Sequence, residues 1–116
     1  MPKSIDWMYF RKSCTTCKRA KGFIDDHQVA VSEVTDATKN RKGRADALAL
    51  AKTASTIIVA KGKKHVVFDM KKDPPTDDTL IAHVLGPTGN LRAPTVMIGK
   101  TMYVGFNEEA WAGVKK

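Results

Sequence analysis

Short blocks of apolar residues, separated by polar or glycine- and proline-containing segments, predict a chain that mixes strands and helices. Runs of large and β-branched residues are typical of strands, and they lie at Ile5–Phe10, Val29–Val34, Thr56–Ala60, His65–Met70, Thr95–Ile98 and Thr101–Val104. Apolar residues at helical spacing behind capping residues predict helices, at Thr15–His27, Arg44–Ala54, Thr76 to about Gly86, and from Asn107, Glu108 and Glu109 onward.

The order of these elements predicts a β-α-β unit, then a helical and irregular middle, then β-β-α. Ile5–Phe10 is apolar on both alternating sides, as expected of a central strand covered on both faces. The strand that follows the first helix is most simply parallel to it. Gly99-Lys100 separates two short strands, which predicts a tight hairpin of type II′. A second hairpin is expected around Lys61–Lys64.

The chain has two cysteines: Cys14 lies directly before the first predicted helix, and Cys17 lies in its first turn. In a strand–Cys-x-x-Cys–helix arrangement the first sulfur comes where the helix begins. Unpaired N–H groups and the positive end of the helix dipole favour a thiolate there. Such settings lower a cysteine pKa from about 8.5 to roughly 3.5–7.5. The helical period puts Cys17 on the inward stripe, so Cys14 is the predicted nucleophile of disulfide exchange and Cys17 the resolving thiol.

Basic residues surround this motif, at Arg11, Lys12, Lys18, Arg19 and Lys21. Cations in the first turns of a helix oppose its dipole, so local stability does not explain them. They would stabilise an anion at Cys14 or an anionic substrate beside it, which makes Lys18 a candidate for substrate binding. Departures from a local stability rule are expected at functional positions.

The length of the chain predicts a single domain, residues 1–116, large enough to fold without a disulfide or a metal. Residues 1–6 lack the apolar core of a signal peptide, and no apolar run reaches the roughly 18 residues of a membrane span. We therefore expect a cytoplasmic protein without membrane contact. In a reducing compartment two cysteines are more often catalytic or metal-binding than structural. A zinc site needs about four ligands, and no pair of histidines has finger spacing, so no metal or other cofactor is predicted.

The net charge of +8 calls for an anionic partner or substrate. Two basic clusters lie at residues 39–44 and 61–64, but no aromatic residues interleave with them to stack on bases. No nucleic-acid-binding motif fits the chain. Nucleic acid is therefore the least favoured partner, behind an acidic protein or a small anion.

Three segments together resemble a known family. The Cys-x-x-Cys helix, Arg92-Ala93-Pro94-Thr95 before the late hairpin, and residues 104–109 (Val-Gly-Phe-Asn-Glu-Glu) after it are similar to the arsenate reductase-like (ArsC/Spx) branch of the thioredoxin fold. Within that branch the chain resembles the bacterial group called ArsC family (seleno)protein, from about Trp7 to Trp111. The resemblance implies an α/β fold with a central four-stranded mixed sheet, flanking helices and an inserted middle.

The same resemblance implies roles for individual residues. Cys14 corresponds to the attacking thiol, Pro94 to a cis-proline facing it, and Arg92 to a basic residue near the substrate anion. The N–H and C=O of Ala93 would pair with an extended thiol or peptide substrate. Glutaredoxin-coupled arsenate reductases usually have one cysteine in the motif and an arginine directly before the proline. Here Cys17 and Ala93 depart from that pattern, which argues against arsenate reduction.

Two classes of function stay open at this point. The first is a thiol–disulfide oxidoreductase that acts on a disulfide or a small oxidised substrate and takes electrons from a thioredoxin or glutathione/glutaredoxin system. The second is a redox-sensing regulator like Spx, which binds a transcription-machinery partner. Arsenate reductase is a further alternative. We favour the enzyme, since the motif context supports exchange chemistry directly.

Overall fold

The computed structural model describes residues 5–11, 15–37, 39–40, 42–61, 63–86, 89–107 and 109–111. These residues include nine helices and strands. In chain order they are β1 (Trp7–Phe10), α1 (Thr15–Asp26), β2 (Val34–Asp36), α2 (Arg44–Lys52), β3 (Thr56–Lys61), β4 (Lys64–Asp69), α3 (Asp77–Val84), β5 (Thr95–Ile98) and β6 (Thr101–Val104). Among the described residues, no helix is long and apolar enough to span a membrane.

All six strands belong to one mixed sheet, in the order β2-β1-β5-β6-β3-β4. The pairs β1–β2 and β3–β6 are parallel, and the other neighbours are antiparallel. The expected four-stranded sheet is therefore wrong. The hairpin β3–β4, which the sequence placed in the inserted middle, extends the sheet because Thr56–Val59 pair with Thr101–Val104. The expected parallel β-α-β unit is confirmed by the pairing of β1 with β2.

The second strand starts later than the predicted Val29–Val34. The chain uses Gln28 and Val29 to close α1: the N–H of Val29 donates to Ile24 O at 3.0 Å and that of Gln28 to Asp25 O at 3.3 Å. These bonds, with a φ of +54° at Gln28, form the Schellman ending in which glycine is usual. Val29 is then buried against α1, and only Val31 forms an isolated bridge before β2 begins.

Caps and turns agree with the predictions where the structure describes them. The Thr76 hydroxyl accepts the N–H of Thr79 at 3.2 Å and caps α3. Asn107 Oδ1 accepts the N–H of Ala110 at 2.6 Å, as an N-cap does, although most of the predicted last helix lies outside the described residues. Gly99 has a φ of +59° and Lys100 has no positive φ, which fits the type II′ turn.

Helices pack on both faces of the sheet and give it two apolar cores. One core joins α1 to Phe106, Ala110 and Trp111 and centres on the fully buried Trp111. The Trp111 ring lies 5.0 Å from Phe106 and 5.8 Å from Phe23, and its Nε1 donates to Gly105 O at 2.9 Å. The other core joins α2 and α3 to the opposite face. Residues 105–107 are thereby held between the sheet and α1.

Candidate functional site

One edge of the sheet collects the segments that the sequence analysis singled out. β1, β2, β3 and β6 run in the same direction and β5 runs against them. The carboxyl ends of those four strands and the start of β5 therefore share one edge, which we call the carboxyl edge. Phe10, Lys61, Val104 and Thr95 mark it. The Cys-x-x-Cys motif follows β1 there, and Arg92–Pro94 precede β5.

The structure describes only one of the two cysteines. Cys14 lies outside the described residues, together with Lys12 and Ser13, and it directly precedes Thr15, the first residue of α1. Cys17 is the third residue of α1 and has no solvent-exposed surface. Its neighbour Lys18 is exposed.

The packed face of α1 accounts for the burial of Cys17. The buried residues of the helix are Cys17, Ala20, Phe23 and Ile24, which recur at helical spacing and face the sheet. The inward position predicted for Cys17 is therefore confirmed. The first turn of α1 holds no acidic residue, so no carboxylate of that turn offsets the cations around the motif.

Arg92 is held between α3 and the sheet by its backbone and its side chain. The Arg92 N–H donates to Val84 O at 2.9 Å, and its carbonyl accepts the Thr95 hydroxyl at 2.6 Å. The guanidinium Nη1 lies 3.5 Å from Ala60 O, at the end of β3. The side chain is half-buried, so its charge stays at the carboxyl edge.

Pro94 anchors the next residues of this loop. The Ala93–Pro94 peptide bond is cis, as the resemblance implied. Pro94 is buried, and its carbonyl accepts the N–H of Gly105 at 2.8 Å. Whether Pro94 faces Cys14 is a prediction that falls outside the described residues.

Gly105 has a conformational role that the sequence analysis did not identify. Its φ is +76°, a region that side chains other than glycine rarely adopt. A Cβ there would lie 3.4 Å from the Ala60 Cβ and 3.7 Å from Arg92 Nη2. Both distances are ordinary van der Waals contacts, so the positive φ, rather than a lack of space, favours glycine beside the Arg92 guanidinium. A glycine next to a strand end was the only signal in the sequence, and it does not identify Arg92 as the neighbour.

A second cation contacts the next residue of the same segment. The Arg19 guanidinium carbon lies 5.6 Å from the centre of the Phe106 ring, within cation–π range. The sequence placed Arg19 only in a general basic cluster. Arg92 thus neighbours Gly105, and Arg19 of α1 neighbours Phe106. Two guanidinium groups at one edge favour an anion, because their planar donors match carboxylate and other oxyanions.

Metal ligands do not gather at this edge among the described residues. In that part of the chain no group of three or more His, Cys, Asp or Glu side chains is placed to hold an ion. The chemistry that the described residues support is therefore that of sulfur and of fixed positive charge.

Comparisons with known proteins agree with this arrangement. The family model described as ArsC family matches residues 9–114. The global transcriptional regulator Spx of Streptococcus agalactiae serotype V is 24% identical over 105 residues, which cover 88% of this chain and 77% of that protein. The Spx of Streptococcus mutans serotype c is 26% identical over 105 residues, with the same coverage of both chains.

Two solved structures share the fold. The protein described as YFFB (PA3664) has a TM-score of 0.55 at 20% identity and covers 95% of this chain and 98% of its own. A Bacteroides fragilis protein described as ArsC family related has a TM-score of 0.50 at 15% identity and covers 92% of this chain and 97% of its own. The predicted thioredoxin-like α/β fold with a mixed sheet is confirmed, apart from the number of strands.

Proposed function

The chain belongs to the ArsC family, and from this premise we propose that it is a thiol–disulfide oxidoreductase in which Cys14 attacks and Cys17 resolves. The observation that carries the proposal is the contrast between the two sulfurs. Cys17 is fully buried on the inner face of α1, while Cys14 directly precedes the helix. A bulky substrate cannot reach a sulfur without exposed surface, so the first attack belongs to Cys14.

The reaction follows from thiolate chemistry. The Cys14 thiolate attacks one sulfur of a substrate disulfide; that S–S bond breaks, and the other sulfur leaves as a thiolate that takes up a proton. Cys17 then loses its proton and attacks the Cys14 sulfur of the mixed disulfide, which releases the second substrate thiol. The substrate has gained two electrons and two protons, and the enzyme holds a Cys14–Cys17 disulfide. A thioredoxin or glutathione/glutaredoxin system would return two electrons to it.

The remaining candidate residues would serve binding and charge. Arg92 and Lys18 provide positive charge beside the motif, which favours the thiolate of Cys14 and an anionic substrate. Ala93 would offer its backbone groups to an extended thiol or peptide, and the buried Pro94 would form the wall behind it. The fixed contacts of Arg92 with Ala60 O and of Pro94 with Gly105 N support a preformed site.

Differential alkylation of the reduced protein tests the roles of the two cysteines. With a small iodoacetamide probe at neutral pH, Cys14 is expected to react at least about tenfold faster than Cys17, because Cys17 has no exposed surface and Cys14 directly precedes the helix. Mass spectrometry of the digested protein measures both rates in one sample. Faster labelling of Cys17 would reverse the assignment.

A trapping experiment tests the catalytic sequence. Cys17→Ser should attack a disulfide substrate once and stall as a mixed disulfide, whereas Cys14→Ser should form none. The double variant serves as the control for unspecific thiol capture. If Cys14→Ser turns over the substrate, the proposed sequence of steps is wrong.

A redox-sensing regulator is the second candidate, favoured by the similarity to the two Spx proteins. In that case the same two cysteines would switch the binding of a transcription-machinery partner. Turnover separates the candidates: with a thioredoxin or glutaredoxin system in excess, an enzyme reduces many equivalents of substrate, while a regulator is oxidised once and turns over poorly.

A further inference from the structure

The outer edge of β4 ends the sheet on one side and pairs with no described strand. β4 has six residues, whereas β2 at the opposite end of the sheet has three. A long unpaired edge strand presents a row of free N–H and C=O groups to another chain. β4 is therefore the stronger candidate of the two edges for strand pairing.

Hydrogen bonds of the neighbouring strands show which groups of β4 point outward. The N–H of Thr56 donates to Lys100 O, so Thr56 and every second residue after it on β3 face β6. The alternate residues of β3 face β4, opposite Lys64, Val66 and Phe68. The N–H of Met70 donates to Ser55 O at 2.9 Å, in the same phase. The main-chain groups of His65, Val67 and Asp69 consequently point away from the sheet.

Between its charged end residues Lys64 and Asp69, β4 lacks the features that usually block edge pairing. Val67 is 52% exposed, an unusual degree for a large apolar residue in this chain. From His65 to Phe68 the strand has neither proline nor lysine, the residues that commonly protect edges. Among the outward main-chain groups of His65, Val67 and Asp69, only the Asp69 carbonyl has a hydrogen bond to another described residue. It accepts the N–H of Asp73 at 3.0 Å.

We propose that β4 pairs antiparallel with β4 of a second copy of this chain, about a twofold axis at Val67. In this register Val67 is opposite its own copy, and His65 is opposite the partner's Asp69. All three outward-facing residues then meet outward-facing residues, as antiparallel pairing requires. Val67 and its copy exchange reciprocal N–H···O=C bonds, and each Asp69 N–H donates to the partner's His65 carbonyl. Two sheets of six strands join into one continuous sheet.

Charge complementarity favours this occupant and this register. Directly opposite residues of an antiparallel pair lie on the same face with Cβ atoms about 4.5–5.5 Å apart. Because the axis is twofold, a contact between His65 of one copy and Asp69 of the other occurs on each side of the Val67 contact. His65 Nδ1 lies 3.3 Å from Glu109 Oε2, and Asp69 Oδ1 accepts the N–H groups of Lys71 and Lys72. Nε2 of His65 and Oδ2 of Asp69 are the atoms that remain for a contact between the copies, and Nε2 donates to that oxygen when the imidazole carries both protons. Both ends of the pairing therefore bring an imidazole to a carboxylate.

The size and charge of the contact predict a weak dimer. Pairing of a single strand buries less than the roughly 1,200 Å² of a stable interface. The net charge of +8 on each copy opposes association, although salt screens it beyond about 10 Å at 0.1 M. We expect dimers at hundreds of micromolar protein and monomers at low micromolar.

Sedimentation of the full-length protein over that concentration range tests the proposal. Val67→Pro removes only an outward N–H and leaves the bonds to β3 in place, and Val67→Lys adds a charge at the axis. Each is expected to raise the dimer dissociation constant at least tenfold. Val34→Lys, at the 57% exposed residue of the other edge strand, is the matched control and should leave association unchanged. A chain that stays monomeric at millimolar concentration, or a dimer that tolerates both Val67 variants, would overturn the pairing.

Cross-linking tests the register in a Cys14→Ser/Cys17→Ala background. At the axis two Val67→Cys residues have Cα atoms about 5.5 Å apart, within the roughly 4.4–6.8 Å of a disulfide. We expect Val67→Cys to form a covalent dimer on mild oxidation and Val66→Cys to remain largely monomeric. A covalent dimer through Val66→Cys instead would place the axis one residue away and refute this register. Because the background lacks both native thiols, the result does not depend on the proposed redox function.

Discussion

Tyr9 connects the core of the sheet to the loop that carries Arg92, and Tyr9→Phe should break that connection at a single atom. Tyr9 is 1% exposed, and its hydroxyl accepts the backbone N–H of Lys42 at 3.0 Å. The carbonyl of Lys42 in turn accepts the N–H of Leu91 at 2.6 Å. Leu91 directly precedes Arg92, so the hydroxyl helps to position the guanidinium through two hydrogen bonds.

The magnitude follows from the bond that is lost. Phenylalanine keeps the ring, and with it the stacking on Trp7 at 5.8 Å, but it leaves the N–H of Lys42 without its acceptor. Removing one partner of a buried hydrogen bond costs about 1–3 kcal/mol. Lys42 is half-buried and water can reach it in part, so we expect a loss of about 1–2 kcal/mol. The melting temperature should fall by about 4–8 °C per kcal/mol.

Urea unfolding followed by circular dichroism measures the loss, and Tyr103→Phe provides the matched control. Tyr103 is the other tyrosine of the chain; it is 5% exposed, and no described residue hydrogen-bonds its hydroxyl. Its replacement at pH 7 should change the free energy of unfolding by less than about 0.5 kcal/mol. Amide exchange should also be faster at Leu91 in Tyr9→Phe only. Equal losses for the two variants, or unchanged exchange at Leu91, would refute the reasoning.

The remaining predictions concern pH, a helix cap and the substrate. Burial raises the pKa of Tyr103 above its ordinary value of 10.0. The tyrosine of the unfolded chain therefore ionises first, and the folded state loses stability as the pH rises above about 10. In urea titrations, Tyr103→Phe should lose less stability between pH 9 and 11 than the unsubstituted protein. Thr76→Ala removes the cap of α3 and should lower the free energy of unfolding by about 1 kcal/mol. Thr53→Ala serves as the comparison, because the Thr53 hydroxyl donates to Leu50 O at the end of α2. Arsenate turnover should be weak or absent while a small disulfide is reduced, and efficient arsenate turnover with a glutathione system would contradict this. Arg92→Ala should lower kcat/KM for an anionic disulfide by about tenfold more than for a neutral one, and Arg92→Lys should retain part of that preference, because charge remains while the planar donors are lost.

Local patterns of the sequence predict the features that depend on neighbouring residues. The helical period places Cys17 on the inner face of α1, and the structure buries it completely. Thr76 and Asn107 are caps by residue type, and both make the expected bonds. The hairpin at Gly99 follows from the need for a positive φ. In each case the determining contacts lie within a few residues of the chain.

The later start of β2 shows where local reasoning fails even over a short distance. Val29–Val34 has the composition of a strand, but Gln28 takes the left-handed conformation that usually marks a glycine. The N–H of Val29 is then used to end α1. The gain from burying Val29 under the helix outweighs its pairing in a strand, and composition alone does not show that competition.

By itself the sequence determined the kinds of elements, their order, the redox motif and the family-like segments around it. Only the tertiary structure decided that the middle hairpin extends the sheet to six strands, because that depends on Thr56–Val59 meeting Thr101–Val104 across some 45 residues. It also decided that Gly105 lies beside Ala60 and Arg92, and that Arg19 lies over Phe106. These contacts join segments far apart in the chain, and their free energy comes from packing and hydrogen bonds that exist only once the sheet has formed.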